Sequence, residues 1–473
     1  MIFTEVRFFL FFIVVFATYW LLNVNKYRKI FLLAASYFFY AAWNYKFLSL
    51  ILLSSIVDYV IGNKLAKTSG TERRLWLLVS LTVNLGMLAV FKYFNFFIES
   101  MNSLLLTIGL SDQISTLKII LPVGISFYTF QTLSYLIDIY RGKLEPAKNL
   151  LDFSLFVGFF PQLVAGPIVR ASDFLGQLGA IREFRTTDVR WCLILFLCGF
   201  FKKACISDNI SPYVDAFYQN PSNYELTSAA CSVFLYSVQI YCDFSGYSDM
   251  AIASAGLLGY RLRENFEFPY LASNITDFWR RWHMSLSSWL RDYLYIPLGG
   301  NRSGEFKANR NLIITMLLGG LWHGASWNFV LWGALHGFAL IVHKLFRRQR
   351  KETAAISTSN SVWPLLCWIF TFVFVSLTWI PFRCQSFSDT VSIFYSFACF
   401  SSSGNMSISD STWMLWTLLI TLLAAHALSR LGWTATWWRN VPSFVFFTNY
   451  GIAWAIVLSL RSMENTPFIY FQF

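Results

Sequence analysis

Residues 312–342 read LIITMLLGGLWHGASWNFVLWGALHGFALIV, without one Asp, Glu, Lys or Arg. Thirty-one residues of straight helix would reach about 46 Å, whereas the hydrocarbon core of a bilayer is about 30 Å thick. A helix of that length either tilts strongly or breaks. Gly319-Gly320 and Gly324 mark the expected break, because glycine lowers helix stability and lets backbones approach closely. The cluster Lys344, Arg347, Arg348, Arg350 and Lys351 follows, and the positive-inside rule assigns it to the cytoplasm.

Similar apolar runs extend from end to end of the chain. They fall at 8–24, 30–43, 47–62, 75–97 and 119–140, then at 190–201, 228–258, 363–381, 413–429 and 443–460. Basic clusters separate them. Lys26, Arg28 and Lys29 form one, Lys64, Lys67, Arg73 and Arg74 a second, and Arg141, Lys143 and Lys148 a third. Placing all three in the cytoplasm puts both chain ends outside. The first apolar run lacks a small-residue cleavage site and reads as a first helix, not a removed signal peptide. FFPQLVAGPIVR (159–170) reads as a broken or re-entrant element. Residues 274–300 read as one amphipathic interfacial helix, capped by Thr276 or Asp277. A Ser-rich loop is expected at 353–361 and an external loop at 384–411. The whole chain, 1–473, reads as a single membrane domain.

Composition agrees. The chain is 56% hydrophobic and 13% charged, against about 25% charged in soluble domains. Its net charge of +12 sits in the inter-helix clusters, so it argues for membrane topology and not for nucleic acid. The eight cysteines form no CxxC pair and no zinc spacing, and read as small hydrophobes. No metal site is expected.

Ionisable groups inside apolar runs are costly and usually functional. His323 lies between glycines, with Trp322, Ser326, Trp327 and Asn328 as aromatic walls and polar partners. A desolvated imidazole is neutral, the state that a general base needs. The competing reading is a histidine packed between helices, and the glycines argue for thin packing around it. His283 lies in TDFWRRWHMSLSSWL (276–290). Trp279, Trp282, Leu286 and Trp289 would share one face of an unbroken helix there. Arg280 with the indoles of Trp279 and Trp282 would suit a phosphate-bearing donor. His336 falls on the face opposite His323 if the helix is continuous, and reads as packing. His343 and His426 read as interfacial. Asp243 and Asp249 need buried partners, and the readings for them are a network locking helices together or contact with a histidine or substrate. No Walker A, H-E-x-x-H, G-x-G-x-x-G or G-x-S-x-G pattern is found.

Six blocks resemble the membrane-bound O-acyltransferase family, in its bacterial branch similar to alginate O-acetyltransferase. They are LPVGISFYTFQTLSYLIDIYRG (121–142), FPQLVAGPIVR (160–170), DFSGYSDMAI (243–252), ENFEFPYLASNITDFWRRWHMSLSSWLRDYLYIPLGGNR (264–302), LLGGLWHGASWNFVLWGALHG (317–337) and PFIYFQF (467–473). The resemblance thus covers 121–337 and the last residues. WRRWH and LWHGA, about forty residues apart, are its most specific part.

The resemblance implies an all-α, polytopic helical bundle with re-entrant and interfacial helices around a central funnel. It implies an O-acyltransferase that moves an acetyl group from a thioester to a hydroxyl. His323 would be catalytic, as general base, and His283 a second active-site residue that positions or polarises the acyl group. Trp279, Arg280, Trp282, Asp243, Trp322 and Asn328 are the candidate substrate-binding residues. No cofactor would be resident, with acetyl-CoA approaching from the cytoplasm as donor substrate. The acceptor would be an extracytoplasmic polysaccharide such as alginate, cellulose or peptidoglycan. A periplasmic acetyltransferase or carrier subunit would be the partner, at a bacterial inner membrane with lipid as solvent. The rival class is a transporter or flippase for an acyl or glycan intermediate, which also uses broken helices and midplane polar groups.

Overall fold

The computed structural model describes residues 1–110, 113–163, 166–302, 304–352, 362–401, 404–407, 437–463 and 466–471, with isolated positions in 420–428. Among these the regular secondary structure is all helix, save one isolated bridge between Tyr224 and Met406. Five helical stretches are long and apolar enough to cross a membrane: Asn25–Lys67, Gly70–Thr107, Trp327–Gln349, Trp363–Arg383 and Ser443–Leu460. The Ser-rich loop at 353–361, most of the expected span at 413–429, and His426 lie outside the described residues. The chain divides into two compact units, Met1–Phe196 with Tyr247–Arg263, and Leu197–Gly246 with Glu264–Phe473.

In the first unit, the Ile125–Tyr140 helix is buried on nearly every side and packs against Leu48–Lys67 and Gly70–Leu88. A helix buried all round must satisfy its polar groups internally. Thr132 donates to Asn84 Oδ1 (3.0 Å), and Asn84 donates to Asp58 (2.8 Å). Gly124 starts the helix at φ 76°, and a Cβ there would lie 2.6 Å from the Leu163 carbonyl oxygen. Two charges of the first basic cluster have internal partners. Arg28 donates to the Leu22 and Arg182 carbonyls, and Lys29 pairs with Asp152 at 2.5 Å. The element expected to break does so: Leu150–Gly158 ends at Phe159, which leaves helical geometry (ψ 112°), Phe160–Leu163 begins a separate helix, and the break is buried.

The second unit holds a hairpin of two helices, Glu305–His323 and Trp327–Glu352. The long uncharged run therefore breaks, at Gly324–Ser326, and the helix continues through Gly319-Gly320. The glycines serve close packing, which corrects the expectation that they thin it. A Cβ on Gly320 would strike the Phe329 carbonyl, and one on Gly333 the Met316 carbonyl. Both glycines let two backbones touch. A Cβ on Gly319 would sit 3.0 Å from Leu290 Cδ1.

Residues 274–300 differ from expectation. They form two short helices, Ile275–Arg281 and Met284–Leu290, with a sharp turn at Trp282–His283. Asn274 is the cap, accepting from Asp277 N at 2.8 Å, in place of Thr276 or Asp277. The expected external loop at 384–411 contains a helix, Phe387–Cys399, capped by Ser386.

Candidate active site

His323 is the last residue of its helix, and Gly324 continues in extended conformation (φ −157°). This exit turns the chain so that Trp332, on the returning helix, faces the imidazole with ring centroids 5.0 Å apart. Trp322 (5.1 Å), Phe382 (5.2 Å) and Tyr470 (5.5 Å) complete an aromatic box around it. The side chain is buried, in surroundings poor in water.

His283 sits at the turn between its two short helices with φ 43° and ψ 54°. Non-glycine residues rarely adopt this left-handed region, and such strain clusters at functional sites. The strain is held by backbone bonds on either side. Glu267 N donates to Arg281 O (2.9 Å), and Met284 N donates to Asn265 O (2.9 Å). The Asn265 side chain sets the imidazole. Its Oδ1 accepts from Ser285 N (3.2 Å), a group that can only donate, so the atom is the oxygen. His283 Nδ1, 3.1 Å from that oxygen, therefore carries the proton and Nε2 carries the lone pair. Burial pushes the imidazolium pKa down to about 3, so the ring is neutral near pH 7.

The two imidazoles share one enclosure. Their ring centroids are 6.4 Å apart, inclined at 57°. Trp322 lies against both, 5.9 Å from His283 and 5.1 Å from His323. Phe244 meets His283 edge-on at 4.6 Å and Tyr470 at 4.6 Å, closing the far wall. Among the described residues, no three His, Cys, Asp or Glu side chains converge as a metal would require.

The other candidates disperse. Trp282 turns away into a cluster with Phe266 (5.0 Å), Phe278 (5.6 Å) and Trp379 (5.0 Å). Trp279 packs on His336 (5.2 Å) and Trp332 (5.7 Å). Arg280 is exposed. Asn328 braces a helix corner: it donates to the Cys384 and Ser386 carbonyls and accepts from Thr390. Asp243 pairs with Lys203 at 2.6 Å and accepts from Ile469 N at 2.7 Å. His336 bonds Thr378 Oγ1 at 3.0 Å, and that hydroxyl in turn donates to Val375 O. The helix break puts His336 and His323 on different helices, which removes the premise of opposite faces. His343 bonds Thr276. Residue-by-residue reading passed over Asn265, Phe244, Phe382, Trp332, Tyr470 and Lys203. Asn265 and Tyr470 lay within the quoted blocks, but nothing local to them pointed to His283 or His323.

Comparison with known proteins bears on this pair. The profile of the membrane-bound O-acyltransferase family matches residues 147–384, which include both histidines. A "Probable alginate O-acetylase AlgI" from Pseudomonas putida is 36% identical over 503 residues, covering 100% of each chain. A "Peptidoglycan O-acetyltransferase" from Helicobacter pylori is 38% identical, over 77% of this chain and 72% of the relative. A "Teichoic acid D-alanyltransferase" from Streptococcus thermophilus is 29% identical, over 48% of this chain and 58% of the relative. The chain thus belongs to the membrane-bound O-acyltransferase family, and it is a multi-pass membrane O-acyltransferase.

Proposed function

We propose that the protein transfers an acetyl group from a cytoplasmic thioester, acetyl-CoA, towards a hydroxyl of an extracytoplasmic polysaccharide at a bacterial inner membrane. The observation that carries this reading is the histidine pair, 6.4 Å apart in one aromatic enclosure. Two imidazoles at that separation can both bear on one reacting acyl carbon. His323 acts as general base on the attacking hydroxyl. The neutral His283, whose Nε2 Asn265 leaves as a hydrogen-bond acceptor, positions the acyl group by accepting from an N–H or O–H of the donor that carries it. The aromatic walls exclude water, which limits hydrolysis of the thioester. The first two relatives carry names of enzymes acting on alginate and peptidoglycan, and both support a polysaccharide acceptor. A periplasmic acetyltransferase or carrier completes delivery to the glycan, a reading supported by a chain whose described residues are mostly helix, with five stretches long and apolar enough to cross a membrane.

The experiment is incubation of purified protein with radiolabelled acetyl-CoA and a polysaccharide acceptor, with or without the periplasmic partner. Release of free thiol together with labelled ester supports the transferase. Movement of label across a vesicle membrane with the thioester intact would instead support the rival transporter, for which the broken helices are the only structural argument.

A further inference from the structure

Three charged side chains that lie together outside the histidine pair are almost wholly shielded from solvent. Lys203 and Asp208 are each 1% exposed and Asp243 is 2%. Lys203 Nζ lies 2.8 Å from Asp208 Oδ1 and 2.6 Å from Asp243 Oδ1. The approach is arranged by backbone. Residues Phe201–Ser207 form a π-helical turn, a distortion frequent at functional sites. Gly246 lies one helical turn beyond Asp243, and a Cβ there would sit 2.7 Å from the Gly199 carbonyl oxygen. Glycine thus lets the Leu226–Leu257 helix press onto that turn.

A buried ion cluster is a poor source of net stability compared with apolar packing, so its retention calls for another reason. Here the cluster grips the segment 466–470 at three points. Lys203 donates to the Thr466 carbonyl (3.1 Å) and lies 3.3 Å from the Thr466 hydroxyl. That hydroxyl donates to Asp208. Asp243 Oδ2 accepts from Ile469 N at 2.7 Å. The next residue is Tyr470, whose ring lies 5.5 Å from His323 and 4.6 Å from Phe244.

We infer that Lys203, Asp208 and Asp243 are positioning residues: they dock the 466–470 segment as a wall of the active site, and Asp243 acts through Ile469 instead of on substrate. This rests on the proposed function for its kinetic readout but not for its structural one. The amide Asp243→Asn keeps an oxygen for Ile469 N–H, at the cost of turning its NH2 towards Lys203, and leaves a balanced Lys203–Asp208 pair. Asp243→Leu removes the acceptor.

The test is limited chymotrypsin digestion of detergent-solubilised full chain, with fragments read by mass spectrometry, beside thioester kinetics. The wild type and Asp243→Asn should resist cutting after Phe468 and Tyr470, and Asp243→Leu should be cut. Thr466→Val/Ile469→Pro leaves all three charges in place, and it should be cut after Tyr470. Cut variants should lose about 100-fold in kcat with the KM for acetyl-CoA unchanged. Asp243→Asn should stay within about tenfold of the wild type. A protected segment in Asp243→Leu overturns the docking. A protected segment in Asp243→Asn with kcat as low as Asp243→Leu shows that Asp243 acts on substrate, which also overturns it. A wild type without thioester turnover rejects the proposed function, while the digestion pattern still decides the docking.

Discussion

At the scale of single residues, the account turns on which nitrogen of His283 carries the proton. Asn265 decides it, because Ser285 N–H and the imidazole converge on the same oxygen. Asn265→Leu removes that oxygen and leaves three buried donors, Ser285 N–H, the Ser285 hydroxyl and the His283 ring N–H, without their acceptor, which disfavours the present tautomer. We expect kcat to fall about 100-fold, with the helical signature and monodispersity of the purified protein retained. Unchanged turnover in that variant would show that the His283 tautomer is irrelevant. His323 stood out in the sequence as a candidate because a histidine in a long uncharged run is conspicuous. The role of Asn265 was not, because an asparagine eighteen residues away announces no contact. Asp243 was visible as a carboxylate needing a partner. Its partner Lys203 was hidden among ordinary basic residues.

At the scale of elements, the helical hairpin of Glu305–His323 and Trp327–Glu352 sets the position of His323. Its two helices touch at Gly320 and Gly333, where a Cβ would meet backbone carbonyls that cannot rotate away. Gly320→Ala should therefore lower the thermal midpoint by an amount corresponding to about 1–3 kcal/mol. Gly86 has nothing within 4 Å of a built Cβ, so Gly86→Ala should leave the midpoint unchanged or raise it. Equal midpoints for the two variants would contradict close packing of the hairpin. The break in this hairpin was readable from length against bilayer thickness. The turn at Trp282–His283 was not. Trp279, Trp282, Leu286 and Trp289 have helical spacing, and a residue with φ 43° leaves no mark in such a pattern when it is not glycine. The helix Phe387–Cys399 was missed for the opposite reason: its stretch lacks the charges by which loops and spans were told apart.

At the scale of the whole molecule, the all-helical membrane class followed from charge scarcity and run length, and family membership from blocks within residues 121–337 and at the last seven residues. The basic clusters that suggested topology also have internal work, since Arg28 and Lys29 are tied to backbone carbonyls and Asp152. Local pattern could not supply the way in which segments far apart in sequence, around residues 244, 283, 323 and 470, meet around one small enclosure. The central claim is that this enclosure performs acyl transfer through His323. The most direct measurement is thioester turnover by purified His323→Ala beside the wild type, with equal expression, membrane insertion and thermal midpoint established for both. The account predicts a loss of about 10²- to 10⁴-fold, the range for removal of a general base. A well-folded His323→Ala protein with turnover near that of the wild type would contradict it.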